Sequence, residues 1–154
     1  MTTDLKRRLA QLGISLPPPP APRGVYESVV IHNCVAYVSG QVCRIGDEVI
    51  AGPVSQTTPR ETIRQAAQTC VLRALSALAA SVPAPWEIER TLFLRGFVNA
   101  APDFANHGQV LDEASTLLHD ILGERGRHAR SSIGVASLPG GALLEIELSV
   151  ALVR

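Results

Sequence analysis

The stretch GRHARSSIGVASLPGGALLEIE, Gly126–Glu147, decides how the chain is read. It opens with Arg127, His128 and Arg130 and runs into a strand-like segment, SSIGVASL. Pro139, Gly140 and Gly141 then supply turn chemistry: proline fixes its φ, and glycine reaches left-handed values at no steric cost. Beyond the turn, Ala142, Leu144, Ile146, Leu148, Val150 and Leu152 share one side of an alternating strand, while Leu143, Glu145, Glu147 and Ser149 share the other. The first side reads as core and the second as partly polar. The segment is therefore expected to be a hairpin. Folded about Pro139–Gly140, it sets Arg130 opposite about Ser149, with Glu145 two rungs away, so the two are not expected to pair within one chain.

Working outward, Val110–Leu122 carries Val110, Leu111, Ala114, Leu117, Leu118, Ile121 and Leu122 at helical spacing, and Gly123 is placed to stop the helix. EIERTLFLRGFVN, Glu87–Asn99, reads as one long strand. TPRE, Thr58–Glu61, has the pattern of a capping box with proline at the first helical position. The helix it opens places Ile63, Ala66, Ala67, Cys70, Val71, Ala74, Leu75 and Leu78 on one apolar stripe and ends before Pro83 and Pro85. YESVVI and CVAYVSG read as strands joined by a tight turn at His32–Asn33, and Gly46–Asp47 turns into a short third strand. Residues 3–13 suit a short helix with Leu5, Leu9 and Leu12 on one face, and LPPPPAP, Leu16–Pro22, is a stiff extended arm.

The order β-β-(β)-α-β-α-β-β predicts an α+β sandwich, a mixed sheet of about six strands with two helices on one face. We expect an N-terminal helix and arm over residues 1–22 and a single domain over 23–154. Leu143, Ala151 and Val153 make the helix-free face half apolar, which predicts self-association through it.

Composition narrows the function. The chain has 154 residues, 46% of them hydrophobic, enough for one packed core. Its 14 Lys+Arg balance 14 Asp+Glu and only 4% of residues are aromatic, a poor footprint for nucleic acid. Cys34, Cys43 and Cys70 form no CxxC pair and are read as reduced thiols. No export signal or apolar span is read, so a cytoplasmic protein is expected. His32, His107 and His119 show no metal-ligand spacing, and no phosphate loop is present, so neither metal nor cofactor is expected.

Chemistry concentrates at Arg130, whose planar guanidinium matches a carboxylate bidentately. The plainer alternative pairs Arg130 with Glu145 or Glu147. Arg125, Arg127 and His128 read either as a solvated cluster at a helix end or as an enlargement of an anion site at Arg130.

YVSGQV (Tyr37–Val42), FVNAAPDF (Phe97–Phe104), ARSSIGVASLPGGALLEIE (Ala129–Glu147) and Tyr26, thirteen residues before Ser39, together resemble the Rid family of reactive intermediate deaminases, also called the YjgF or L-PSP endoribonuclease family. The resemblance spans about residues 20–154; the leader LAQLGISLPPPPAP and GRHARS look like a longer subgroup. It implies a chorismate-mutase-like fold and a homotrimer with clefts between subunits. It also implies that Arg130 holds a substrate carboxylate, that Glu145 and Tyr26 position a water, and that Ser39 and Gly40 line the same cleft. Two departures stand out: HARS replaces the commoner PARS, and Asp112 stands where relatives often carry asparagine, an acid that would repel a carboxylate.

The leading expectation is an enamine/imine deaminase acting on small 2-imino acids with water as the only co-reactant. The alternatives are a non-catalytic trimer that binds a carboxylated metabolite, and an endoribonuclease, against which neutral charge and sparse aromatics argue.

Overall fold

The computed structural model describes residues 3–154, with side chains from Leu5 onward. The strands are β1 (Val29–His32), β2 (Val35–Val42), β3 (Arg44–Ile45), β4 (Glu48–Val49), β5 (Glu87–Asn99), β6 (Ala129–Val135) and β7 (Leu144–Val153). The helices are α1 (Thr3–Gln11), α2 (Arg60–Ser81) and α3 (His107–Leu122). The fold is the expected α+β sandwich, with five strands in the main sheet rather than about six, because β3 and β4 pair only with each other.

The main sheet runs β1-β2-β7-β5-β6. Every pairing is antiparallel except β5 with β6. This corrects the expected terminal hairpin: β6 lies parallel to β5, and β5 separates it from β7. The physical reason is burial. β7 is apolar at every second position, and Leu144, Ile146, Leu148, Val150 and Leu152 are each 3% exposed or less, which suits a seat between two long strands. β6 has no fully buried residue, which suits an edge. Pro139–Gly141 forms a single 3₁₀ turn on the way to β7, with Gly140 and Gly141 at φ of 68° and 71°.

α2 and α3 cover the face that carries Leu94, Val98 and the even-numbered residues of β7. The expected α2 stripe is buried from Ala66 to Leu78. The capping box is not formed: Pro59 is the N-cap residue, and the Thr58 hydroxyl instead accepts the Ser55 N–H at 2.9 Å. The β1–β2 turn falls one residue later than expected, with Asn33 and Cys34 both at positive φ, the geometry that matches strand twist in a two-residue hairpin.

α1 joins the helical layer. Leu5 and Leu9 are buried, while Leu12, past the helix end, is exposed. Arg8 donates to the Asp120 and Ile121 carbonyls near the C-terminus of α3, where a cation offsets the helix dipole. The proline arm is anchored through its carbonyls, with Pro17 accepting from Ser76 Oγ at 2.6 Å and Pro20 from Ser28 Oγ at 3.0 Å.

The opposite face of the sheet carries Val30, Tyr37 and Ile133, all substantially exposed, and an Arg95–Glu147 ion pair at 2.8 Å. Cys43 and Cys70 are buried thiols, and Cys34 is exposed at its turn. Among the described residues no helix is long and apolar enough to cross a membrane.

Candidate active site

Glu145 leaves β7 on the helix-free face, between Val42 of β2 and Phe97 of β5. β2 carries one extra residue between Val38 and Gln41, a bulge that re-aims the chain at Ser39–Gly40. A Cβ at Gly40 would collide with the Glu145 carboxylate, so the glycine is what lets that carboxylate lie there. Tyr26 arrives from the end of the proline arm, its hydroxyl accepting the Arg23 backbone N–H at 3.3 Å. Tyr26, Gly40, Gln41 and Glu145 thereby line one cavity of about 270 Å³.

Glu145 makes no hydrogen bond or ion pair among the described residues. Its half-burial raises the carboxyl pKa, and the Glu147 charge pushes the same way. A carboxyl so tuned can hold or release a proton nearer neutrality than a solvated one. Gln41 is 4% exposed; its amide donates to the Ser39 carbonyl at 3.1 Å, and its Oε1 is buried with no partner.

Arg130 stands on the other face. It pairs with Leu94 in the sheet and points under α3, where Nη1 donates to Asp112 Oδ1 and to Ser115 Oγ, both at 2.9 Å. Ser115 in turn bonds His128 Nε2 at 3.1 Å, and His128 Nδ1 meets the Gly126 carbonyl at 2.6 Å. A carbonyl only accepts, so Nδ1 carries the proton and Nε2 accepts from the Ser115 hydroxyl. Burial lowers the His128 pKa; the Gly126 carbonyl opposes that shift and the Arg130 charge assists it. Arg130 Nη2 and Nε make no hydrogen bond among the described residues, and Arg130 lines an open hollow of about 430 Å³ together with Ser115, His119 and His128.

Tyr26, Gly40 and Glu145 thus meet, and Arg130 does not join them within the protomer. Ser39 turns its hydroxyl to the Glu27 carbonyl at 2.6 Å, away from the cavity lining. The plainer pairing of Arg130 with Glu145 or Glu147 is overturned, since Asp112 is its partner and Glu147 binds Arg95. Arg127 is held by Glu124 at 2.8 Å and Arg125 donates to the Ile88 carbonyl at 3.2 Å, while His128 of that cluster joins Arg130's hydrogen-bond network through Ser115.

Sequence reasoning missed three cavity-lining arginines, Arg23, Arg44 and Arg73. The one signal was Arg73 itself, a charge interrupting the apolar run Cys70–Leu78 of α2. Among the described residues no three His, Cys, Asp or Glu side chains gather closely enough to hold a metal ion.

Comparison with known proteins agrees with this fold. Residues 18–152 match the family described as Endoribonuclease L-PSP. Protein TCP17 of Trypanosoma cruzi is 35% identical over 147 residues, 94% of this chain and 91% of that protein. The crystal structure of Atu1372, a protein of unknown function from Agrobacterium tumefaciens, superposes with a TM-score of 0.84 at 32% identity, covering 97% of this chain and 94% of the other. The E. coli yjgF gene product shares the fold, with a TM-score of 0.58 at 20% identity over 86% of this chain and 92% of that one. The chain belongs to the Endoribonuclease L-PSP family, the family also called YjgF or Rid.

Proposed function

We propose that the protein hydrolyses small 2-imino acids to 2-keto acids and ammonia, in a cleft completed by a second protomer. The observation that carries this reading is Glu145, a half-buried carboxyl of raised pKa without a partner among the described residues, facing a cavity with Tyr26 and Gly40. Water adds to the C=N carbon while Glu145 takes its proton. The protonated carboxyl returns that proton to the nitrogen, giving a carbinolamine; Glu145 then takes the remaining hydroxyl proton and passes it to the amino group as the C–N bond breaks, so ammonia leaves and the keto C=O forms. Tyr26 orients the water or the imine with its hydroxyl.

The substrate carboxylate needs a guanidinium, and the reading assigns Arg130 of the neighbouring protomer through its Nη2 and Nε edge. Arg130 lies on the β6 edge of the sheet, and Tyr26 and Gly40 lie toward the β1–β2 edge. A contact that joins one edge to the other is head-to-tail, and such contacts form a ring where the rotation between protomers closes, as a threefold rotation does. Three protomers give three such clefts, and the exposed apolar residues Val30, Tyr37 and Ile133 supply surface for the contact.

The test is ammonia and 2-keto acid release from an imine generated in place by an amino-acid oxidase. Release above the uncatalysed rate, lost in Arg130→Ala and in Glu145→Gln, supports the proposal. Ligand-induced stabilisation by a 2-keto acid with no turnover points instead to a binding module. Arg130→Ala working as fast as the parent removes Arg130 from the mechanism.

A further inference from the structure

The Glu145 cavity has a second end. Arg23, Arg44 and Arg73 line it together with Pro20 and Ala21. The same five residues also line a larger groove of about 680 Å³ under the proline arm, which Tyr26, Gly40 and Glu145 do not reach. The three arginines therefore stand at the throat between cavity and groove. Three guanidiniums converge there, and the throat offers little to neutralise them. Arg23 binds the exposed Asp47 carboxylate at 3.1 Å, and Arg44 is satisfied by the Asp47 backbone carbonyl at 2.7 Å. Arg73 makes no hydrogen bond or ion pair among the described residues, and its Nε is buried without a partner.

A buried N–H of a charged group left unpaired costs free energy that an incoming acceptor recovers. Burial lowers the Arg73 pKa; Cys70 and Tyr26 oppose that shift, and the positive charges of Arg44 and Arg23 add to it. Asp47 is ion-paired to Arg23 alone among the described residues, so the like charges of Arg44 and Arg73 repel unless a ligand supplies a counter-ion. Arg73 is built into α2 and Arg44 into the β3–β4 hairpin, while Arg23 comes from the segment that follows the proline arm.

We propose that Arg73, Arg44 and Arg23 form an anion-binding subsite, so that the molecule held beside Glu145 carries a second anionic group, a carboxylate or a phosphate, at its distal end. This deepens the deaminase reading and rests on it for the placement of the reacting carbon at Glu145. It narrows the substrate class to imino acids whose side chain ends in an acid. The planar fork of guanidinium suits either oxyanion, so the two sources share one chemistry.

The experiment is calorimetric binding with keto acids as probes: 2-oxobutanoate as the monoanion, 2-oxoglutarate as the dicarboxylate and 3-phosphonooxypyruvate as the phosphate-bearing acid. The expected result is at least tenfold tighter binding of one or both dianions than of 2-oxobutanoate. Arg73→Gln should abolish that preference while leaving 2-oxobutanoate affinity unchanged. Arg44→Gln, on the surface hairpin, should reduce it in the same way and guards against a misfolded Arg73 variant. Whichever dianion wins identifies the distal group. Equal binding of all three probes, no binding of any, or a preference that survives in both variants overturns the subsite. Dianion preference without imine hydrolysis leaves the subsite standing and removes the deaminase reading. Imine hydrolysis without dianion preference does the reverse.

Discussion

Arg130 and Glu145 leave the same sheet on opposite faces. Arg130 shares a rung with Leu94, whose partner on β7 is the buried Leu148, and so points under the helices. Glu145 shares a rung with Phe97 and Ile133 and points away from them. The period of two along a strand makes this absolute: residues an odd number of positions apart in unbroken register cannot face the same way. A carboxylate anchor and a proton-handling carboxyl on opposite faces belong to different sites unless a second copy of the chain brings them together.

That relationship is testable by complementation. Arg130→Ala and Glu145→Gln protomers are each expected to be inactive alone. Mixed, partly unfolded together and refolded, they should recover activity, because some clefts then combine an intact Arg130 from one protomer with an intact Glu145 from the next. Random assembly around a ring gives about a quarter of the parent's sites. Recovery of nothing, from variants that each assemble normally, places both residues' roles within single protomers.

Glu145→Gln separates chemistry from stability. Loss of a general acid–base costs about 10²-fold or more in kcat. In the parent, kcat/KM should rise with pH through a pKa above the ordinary 4.5, because the ionised form takes the proton from water and burial has raised the pKa. The variant should lose that limb. For stability the sign runs the other way. The folded state holds the proton more tightly than the unfolded chain, so folding loses free energy as pH rises from 4.5 through the raised value. The glutamine variant should therefore melt higher than the parent at neutral pH and lose that advantage below 4.5. Equal melting temperatures across the range, by scanning calorimetry, contradict the desolvated carboxyl.

Gly40→Ala puts a methyl where the Glu145 carboxylate lies. The colliding atoms are the end of a flexible side chain, so the carboxylate swings out of the cavity and the backbone stays. Activity is expected to fall toward the Glu145→Gln level, with melting changed by only a few degrees. The double variant should be no worse than either single one, since both remove the same group from the same place. Additive losses in steady-state kinetics indicate separate roles.

The order of elements, the α2 stripe, the long strand β5 and the two faces of β7 were legible because each rests on a local periodicity. The partner of β6 was not, because Gly140–Gly141 suits a hairpin and a wide crossover equally; only the demand for burial on both sides of β7 selects the crossover. The capping box failed for a related reason. Thr58 had a nearer donor in the Ser55 N–H, and sequence spacing carries no information on that competition. Tyr26, Gly40 and Glu145 were singled out through the family resemblance, and the cavity they share comes from the β2 bulge. Arg73 sits in plain view on α2, but its meeting with Arg23 and Arg44 depends on where the proline arm lies, which no local pattern encodes.

His128 supplies a pH signature on the other face. Its imidazole is held neutral in the fold, with Nδ1 donating to Gly126 and Nε2 accepting from Ser115, and burial lowers its pKa below 6.5. The unfolded chain protonates at the ordinary value while the folded state resists. Stability is then constant with respect to this group above 6.5 and declines as pH falls from there toward the folded value. Glu145 works in the opposite sense, so the informative quantity is the difference between parent and variant. His128→Gln keeps a donor and an acceptor in place and removes the titration. Its stability relative to the parent, from urea midpoints, should rise between pH 7.5 and pH 5.5. Since Ser115 and Arg130 act on carboxylate binding, any fall in activity should appear in KM for the imino acid more than in kcat. A difference in midpoint that stays flat across that pH range shows the imidazole to be as free to protonate in the fold as in the open chain, and the Arg130–Ser115–His128 chain then has no titrating member.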